Sequence, residues 1–177
     1  MANIVTTPER AARIVIADAG PLIHLDELQC LGLLEDFVEV RVPEAVWAEV
    51  ERHRPQALRN TIVPWVRCLS SASEKVDALA ALYTLHGGER EALSLCLEHS
   101  GALLLTDDTA ARLAAKTLSV EAHGTLGLLV RAVRRRQLSK FAVLELLRQI
   151  PERSSLHVRP GLLAEIIQSV AAAPDPH

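Results

Sequence analysis

Aromatic residues are scarce in this sequence, at 3% of 177 positions, whereas apolar residues of all kinds reach 49%. A base-stacking surface built from several aromatic rings is therefore not predicted. Leu, Val, Ile and Ala must supply the core, and this composition suits helices packed on a β-sheet. A chain of this length can bury about 70% of the surface that its unfolded form exposes, so it needs neither disulfides nor a structural metal to fold.

Cysteines are also few, and their spacing excludes two classes of small stabilised fold. Cys30, Cys68 and Cys96 are odd in number, and no two of them form a C-x-x-C pair. Neither a zinc knuckle nor a disulfide framework is supported by this pattern. Reduced thiols in a cytoplasmic protein are the simplest interpretation.

The sequence lacks both a strong excess of charge and a long apolar run. Its formal net charge is −3, so any contact with nucleic acid must come from a local basic patch. Residues Met1 to Val5 contain no cationic segment leading into a long apolar stretch, which argues against a signal peptide. No apolar run approaches the roughly 18 residues of a membrane span. We expect a soluble cytoplasmic protein without a membrane partner.

Short apolar runs alternate with longer helical patterns along the chain. Strands are predicted at residues 13–17, 37–42, 62–69, 102–106 and 119–122. Helices are predicted at residues 22–34, 44–54, 73–85, 89–99, 109–116, 126–136, 139–150 and 160–172. This alternation predicts an α/β fold with a mostly parallel sheet covered on both faces. We expect one domain over residues 1–177, with the last helix docked on the same core.

Polar side chains follow three of the predicted strands. Asp18 ends the first strand, Asp107 or Asp108 the fourth, and His123 and Thr125 the fifth. In an open parallel sheet, ligands bind outside the carboxyl ends of the strands. We therefore expect these distant positions to meet at one edge of the sheet.

Glu89 is a further acidic candidate because it opens a helix after two glycines. Ala92, Leu93 and Cys96 follow it by three, four and seven residues, which places Glu89 on an inward-facing stripe. Crowded carboxylates stay ionised when a cation compensates them or water reaches them. Oxygen ligands select hard cations such as Mg²⁺, Mn²⁺ or Ca²⁺ over zinc. Mg²⁺ or Mn²⁺ held in this way suits phosphodiester hydrolysis.

Simpler roles are open for the same residues. Asp18 precedes Gly-Pro and could be a turn residue. Asp107 and Asp108 could cap a helix, Glu89 could be a first-turn acid favoured by the helix dipole, and Thr125 could cap the next helix.

The basic cluster of residues 131–140 has three interpretations. It could be a solvated helix end, where cations complement the dipole, or it could bind RNA phosphates or an acidic partner. Arg112, one turn beyond the acidic pair, is better placed to hold a substrate phosphate.

Four segments in order resemble the motifs of PIN-domain nucleases, and a fifth extends the likeness over nearly the whole chain. They are Asp18–Ile23, Gly88–Ala92, Thr106–Arg112 and Gly124–Gly127, together with Val42–Val50. The likeness is greatest to a bacterial and archaeal subgroup similar to VapC-type toxins. The resemblance rests on the order and spacing of the four motifs together.

The resemblance implies an α/β/α sandwich, a Mg²⁺- or Mn²⁺-dependent ribonuclease and, often, an antitoxin partner encoded alongside. Carried over by motif, Asp18, Glu89 and Asp108 would be catalytic and bind metal, and Asp107 is a possible additional metal ligand. Thr125 stands where family members place a further acidic or hydroxyl group, and we assign it to substrate binding together with Arg112. A homodimer is also possible.

Two departures from the family pattern leave an alternative open. Ala19 and Gly20 replace the usual small hydroxyl residues after the first aspartate. A clear fourth acidic residue is also missing, since Thr125 stands at that position. The prediction is a metal-dependent endoribonuclease, the toxin of a type II toxin–antitoxin pair. The alternative is a catalytically degenerate PIN-like module that binds a partner protein or RNA. A metal-dependent phosphohydrolase on a Rossmann-like sheet is a second alternative, although the D-x-D pair of aspartyl-phosphate enzymes is missing after the first strand.

Overall fold

The computed structural model describes residues 11–174 of the chain. Within this range five strands form one sheet in the order β3-β2-β1-β4-β5, and every neighbouring pair is parallel. The strands are β1 (Ala11–Ala17), β2 (Phe37–Pro43), β3 (Trp65–Cys68), β4 (Leu103–Leu105) and β5 (Glu121–His123). Residues 1–10, on which the prediction of no signal peptide rests, and residues 175–177 lie outside the described range.

Helices cover both faces of this sheet. They are α1 (Ala19–Glu27), α2 (Glu44–His53), α3 (Glu74–Tyr83), α4 (Gly87–Glu98), α5 (Thr109–Thr117), α6 (Thr125–Arg134), α7 (Lys140–Arg153) and α8 (Pro160–Ala172). Val15 and Ala17 of β1 belong to a core cluster shared with α1, α2, α6, α7 and α8, whereas Ile16 belongs to a second cluster shared with α3, α4 and α5. Alternate side chains of β1 thus face opposite layers, and the predicted three-layer α/β/α sandwich is confirmed.

The strand order places a switch point at the centre of the sheet. The chain runs from β1 outward through β2 to β3, then returns to place β4 and β5 on the other side of β1. Ala17 pairs with Leu105, and Leu105 pairs with His123, so the carboxyl ends of β1, β4 and β5 lie side by side. The amide of Asp18 extends this pairing by donating to the Leu105 carbonyl at 2.9 Å. A crevice at such a point is the usual ligand site of an open α/β sheet.

The predicted helix over residues 22–34 is wrong in its second half. Helix α1 ends at Glu27, Gln29 takes a left-handed conformation with φ of 58°, and a 3₁₀ helix follows at Leu31–Asp36. The amide of Cys30 closes the break by donating to the Leu25 carbonyl at 2.9 Å. Helix α1 and the 3₁₀ helix both bury leucines in the same core cluster. The apolar periodicity therefore continues across the break between them and gives no sign of it.

Other helix and strand boundaries also differ from the predicted ones. Strand β5 begins at Glu121 rather than residue 119, because Ser119 has φ of 58° and ends the turn after α5. Strand β3 is shorter than predicted, and α4 already begins at Gly87. Helix α7 continues through Pro151 to Arg153, since a proline in the last turn costs only one internal hydrogen bond.

The C-terminal helix α8 packs on this core. Leu163 and Val170 of α8 belong to the same buried cluster as Val143 and Leu147 of α7. None of the helices between residues 11 and 174 combines the length and the apolar character that a membrane crossing requires.

The basic cluster of residues 131–140 has in part a structural role. Arg131 donates to Asp36 at 2.5 Å, and Arg135 contacts the same carboxylate at 2.9 Å. Burial would raise the pKa of Asp36, but hydrogen bonds from Arg135 and Arg131 outweigh it and hold that pKa below its ordinary value. Arg131 also lies over the Phe37 ring at 4.5 Å from its centre. For these two arginines, the interpretation as a solvated helix end is therefore wrong.

Candidate active site

A cleft of about 320 Å³ lies at the switch point, beside the carboxyl ends of β1 and β4. Four of the predicted site residues line it: Asp18, Glu89, Asp107 and Asp108. The other lining residues are Ala19, Gly20, His24, Glu49, His86 and Gly88. Positions some ninety residues apart therefore converge as the strand-end argument predicted, whereas Arg112 and Thr125 lie outside the lining of this cleft.

Asp18 is a largely buried carboxylate of the cleft, and its pKa is strongly perturbed. Its Oδ1 accepts a hydrogen bond from the Ala19 amide at 2.8 Å, and its Oδ2 accepts one from the Thr106 hydroxyl at 2.9 Å. The pKa of Asp18 is raised from 3.8 to about 6: burial is the largest cause, the negative charges of Glu89 and Glu49 add to the rise, and the two hydrogen bonds oppose it. No salt bridge within residues 11–174 compensates its charge.

Thr106 connects the acids of two strands. This fully buried residue follows β4 directly, donates its hydroxyl proton to Asp18, and accepts the Asp108 amide at 3.2 Å. The hydroxyl that Ala19 and Gly20 cannot provide thus reaches Asp18 from the neighbouring strand. Sequence patterns place Thr106 at the end of a strand and in a PIN-like motif but give it no role at Asp18. The signal that could have revealed its role is a threonine between a buried strand and an acidic pair.

Asp108 and Glu89 are both oriented by helix ends. Asp108 caps α5, since its Oδ1 accepts the Ala111 amide at 2.8 Å, and Glu89 accepts the His86 amide at 2.7 Å in a capping box that begins α4. The capping interpretation is therefore right for Asp108, and the first-turn interpretation is right for Glu89. Within residues 11–174 the second oxygen of each carboxylate accepts no hydrogen bond, so it is available to a ligand in the cleft.

Asp107 is held more tightly than the other acids. Its Oδ1 accepts the Thr125 amide at 2.7 Å, and its Oδ2 accepts the Thr125 hydroxyl at 2.6 Å while contacting Nδ1 of His24 at 2.8 Å. Gly124 makes room for this arrangement, since a Cβ there would lie 2.5 Å from the Asp107 Oδ1. Both oxygens of Asp107 are therefore already engaged, and Oδ2 has two partners.

Thr125 does not cap helix α6. The capping position is Gly124, which supplies no side-chain hydrogen bond, and Thr125 is the first helical residue with its hydroxyl turned to Asp107. The prediction of a helix cap at Thr125 is therefore wrong. The Thr125 hydroxyl instead donates to the carboxylate of Asp107, because strand pairing brings the ends of β4 and β5 together.

Comparison with known protein families bears directly on this arrangement. A family model described as a PIN domain (DUF3368) matches residues 14–172. This chain belongs to the PIN-domain family. Curated protein sequences and solved structures gave no match. Membership supports nuclease activity on RNA, as PIN domains are typically nucleases and generally use divalent metal ions. It thereby favours a nuclease over the phosphohydrolase alternative.

Three residues of the PIN-domain cleft escaped the sequence reasoning. His24 lies on α1 six residues after Asp18, Glu49 is an exposed residue on α2, and His86 is the capping residue of α4. A weak signal existed for His24, because a helix that begins at a ligand site directs some side chains of its first turns toward it. Glu49 carried no such signal in the sequence.

The cleft of this PIN domain fits a hard divalent cation by its chemistry, though the site is not assembled. Its acidic donors are all carboxylate oxygens, the ligands that Mg²⁺ and Mn²⁺ prefer. Among residues 11–174, no three His, Cys, Asp or Glu side chains are close enough to form a ready-made metal site. Asp18 is fixed by two hydrogen bonds, whereas Glu89 and Asp108 each accept a hydrogen bond through one oxygen only. Binding a cation would therefore require the side chains of Glu89 and Asp108 to move.

Proposed function

We propose that this PIN domain is an endoribonuclease dependent on Mg²⁺ or Mn²⁺, with Asp18, Glu89 and Asp108 as its metal-binding catalytic carboxylates. The observation that carries this proposal is the uncompensated burial of Asp18. Its pKa of about 6 reflects burial together with the charges of Glu89 and Glu49. A bound cation would remove this unfavourable electrostatic energy, which supports a cation site at that position.

The side chains and helix ends of the cleft would prepare it for a phosphodiester. Asp18, His86 and Asp108 are the capping residues of α1, α4 and α5, so three helices begin at the cleft. Their amino ends contribute partial positive charge, which favours a phosphate group beside the carboxylates. When bound, a divalent ion would lower the pKa of a water molecule and neutralise charge on the phosphate.

Arg112 and Thr125 would have different parts in substrate binding. Arg112 lies one turn into α5 beyond Asp108 and would hold a phosphate of the RNA backbone. Thr125 would act through Asp107, to which both its amide and its hydroxyl donate. Water would add to phosphorus as the bond to the 3′ oxygen breaks, leaving a 5′-phosphate and a 3′-hydroxyl.

The proposal extends to a cytoplasmic toxin of a type II toxin–antitoxin pair, a role supported by the sequence likeness to VapC-type toxins. Induced expression of the chain would then arrest growth, and coexpression of a protein encoded beside it would relieve the arrest. Asp18→Asn should abolish the arrest without lowering the amount of protein made. Growth arrest that persists in Asp18→Asn would count against this role. Size-exclusion chromatography would test the accompanying proposal of a homodimer.

Metal ions should control both cleavage and stability. We expect EDTA to abolish RNA cleavage and Mn²⁺ to restore it. At a concentration about 100 times the dissociation constant, Mn²⁺ should raise the free energy of unfolding by about 2.7 kcal/mol through preferential binding to the folded state. Thermal unfolding with and without Mn²⁺ measures this rise, which should vanish in Asp18→Asn. Full cleavage in excess EDTA would refute metal dependence.

The Thr106 hydroxyl should set the metal affinity of Asp18. Thr106→Val removes a hydrogen bond that lowers the pKa of Asp18, so that pKa should rise, and Mn²⁺ affinity should fall by roughly 10–100-fold. Thr106→Ser keeps the hydroxyl and is the matched control. Calorimetric titration with Mn²⁺ and NMR titration of the Asp18 carboxyl measure the two effects. Equal affinities for the Val and Ser variants would show that Thr106 does not position Asp18.

A second candidate function is a catalytically degenerate module that binds RNA or a partner protein. The observation that favours it is the lack of a preassembled three-residue metal site within residues 11–174. Calorimetry separates the two candidates. An absence of heat at millimolar Mn²⁺, unchanged in Asp18→Asn, would support the binding module, whereas saturable binding lost in Asp18→Asn supports the nuclease.

A further inference from the structure

A second and larger groove begins beside the carboxylate cleft. Its volume is about 740 Å³, and Asp107 lines both spaces. Helix α5, strand β5 and residues 156–162, which lead from α7 into α8, all contribute to its walls. The groove therefore extends from the proposed cleavage site toward the C-terminal part of the fold.

Positive charge is concentrated in this groove. Arg112 and Lys116 lie one turn apart on α5, which separates them by about 6 Å along the helix axis. Arg159 caps α8 in the opposite part of the lining, close in sequence to His157. Of the residues between 11 and 174, Asp107 is the only acidic one in the lining, and its two oxygens already contact Thr125 and His24.

The groove cations are available to a ligand. Arg112, Lys116 and Arg159 are exposed and form no ion pair within residues 11–174, unlike Arg13 and Arg54, which bind carboxylates. The whole chain carries a formal charge of −3, so this local concentration of cations runs against its overall charge. Such a patch is complementary to a polyanion.

The remaining lining is aliphatic. Leu113 and Leu162 are 47% and 40% exposed, which leaves apolar surface open to a ligand, and Val120, Leu126 and Leu156 also line the groove. Among residues 11–174, no Phe, Tyr or Trp lines the groove, so a base-stacking surface built from several such rings is not available. Unpaired bases and riboses can cover aliphatic surface, whereas an RNA duplex presents mainly phosphates and hydroxyls to a protein.

The wall formed by residues 156–162 is tied to the rest of the fold. Glu27 at the end of α1 accepts hydrogen bonds from the Ser154 hydroxyl at 2.9 Å and from the Ser155 amide at 2.7 Å. Leu156 and Val158 pack against the large core cluster from this segment. The groove is thus formed before any ligand arrives, which lowers the entropy cost of binding.

We propose that this groove binds single-stranded RNA next to the cleaved bond, with phosphates on Arg112, Lys116 and Arg159 and unpaired bases and riboses on the aliphatic surface. The substrate would then be an unpaired RNA segment, gripped mainly through its backbone and with little preference for particular bases. This inference rests on the proposed nuclease function, because it assigns the groove to the same substrate.

Binding of a fluorescent single-stranded RNA of mixed sequence to the Asp18→Asn protein tests the groove. Fluorescence anisotropy should show roughly tenfold weaker binding after combined Lys116→Ala and Arg159→Ala substitution near 0.1 M salt. The slope of log affinity against log salt should become shallower by about 0.7 for each cation removed. Lys116→Arg and Arg159→Lys should keep the affinity. Lys75→Ala and Arg59→Ala, exposed cations elsewhere without an ion pair, should not change it.

Three outcomes would overturn the assignment. The groove variants could bind single-stranded RNA as tightly as the parent, a duplex of the same sequence could bind equally well, or the variants could lose binding to polyglutamate while keeping RNA binding. The last result would assign the groove to an acidic protein segment.

Cleavage assays separate this inference from the function on which it rests. Suppose that wild type cleaves RNA and that Lys116→Ala and Arg159→Ala leave KM and kcat unchanged. This result would refute RNA binding in the groove and leave the nuclease proposal intact. Wild type that never cleaves, combined with RNA binding lost in the groove variants, would refute the nuclease and support the groove.

Discussion

Replacing Asp18 by Asn should slow RNA cleavage by roughly 10³-fold or more, because the loss of the carboxylate proposed to bind the metal would remove several kcal/mol of transition-state stabilisation. Single-turnover cleavage of a labelled RNA in Mn²⁺ measures the rate. Asp18 is suited to this test because Asn has nearly the same shape: its side-chain oxygen can still accept the Ala19 amide, and the Thr106 hydroxyl can turn to accept from the new NH2 group. The RNA should still bind, so the effect belongs to the chemical step.

Controls for this result come from the same chain. Glu152→Gln neutralises an exposed carboxylate on α7, far along the chain from the cleft residues, and should cleave like wild type. Asp108→Asn should also lose activity while keeping the α5 cap, since Asn caps helices as well as Asp does. Equal rates for wild type and Asp18→Asn would remove the nuclease proposal.

The same substitution should stabilise the metal-free protein at neutral pH. The pKa of Asp18 is about 6 in the folded protein, compared with an ordinary value of 3.8, so the folded state binds the proton more tightly. Stability of the wild type should therefore fall as the pH rises from about 4 to 6 and stay reduced above that range. Asn carries no charge at any pH. The free energy of unfolding of Asp18→Asn should therefore exceed that of wild type by up to about 3 kcal/mol at pH 7–8 and by little below pH 4.

Denaturant unfolding in EDTA across this pH range measures the difference between the two proteins. Glu152→Gln is again the control, and its stability should stay within about 0.5 kcal/mol of wild type at every pH. Saturating Mn²⁺ should reduce or reverse the advantage of Asp18→Asn, because only wild type gains from metal binding. A variant less stable than wild type at pH 8 in EDTA would contradict the electrostatic account of the cleft.

The layered fold was predictable because it depends on short-range patterns. Runs such as residues 13–17 and 102–106 are apolar and short enough to be buried strands, and the helical patterns between them require parallel pairing. Helix ends were less predictable. The break at Gln29 depends on one left-handed residue, and hydrophobic periodicity carries no information about that backbone angle.

The acidic residues of the cleft were predictable in part, because parallel strands bring their carboxyl ends to one edge. That rule was enough to collect Asp18, Asp107 and Asp108, and the helix stripe added Glu89. It could not reveal that Thr106 would orient Asp18, or that His24 and Thr125 would occupy the oxygens of Asp107. Those contacts join residues far apart in sequence, and each depends on side-chain positions that packing sets.

The sequence by itself determined the α/β layering and the set of acids available at one edge of the sheet. Local propensity and strand-to-helix alternation are encoded in neighbouring residues, so they can be inferred without coordinates. Only the tertiary structure decided which acids are committed to partners and which retain an open oxygen, and it alone placed Lys116 and Arg159 in one groove. The physical reason is that burial, pKa and hydrogen-bond partnership depend on what surrounds a side chain in space.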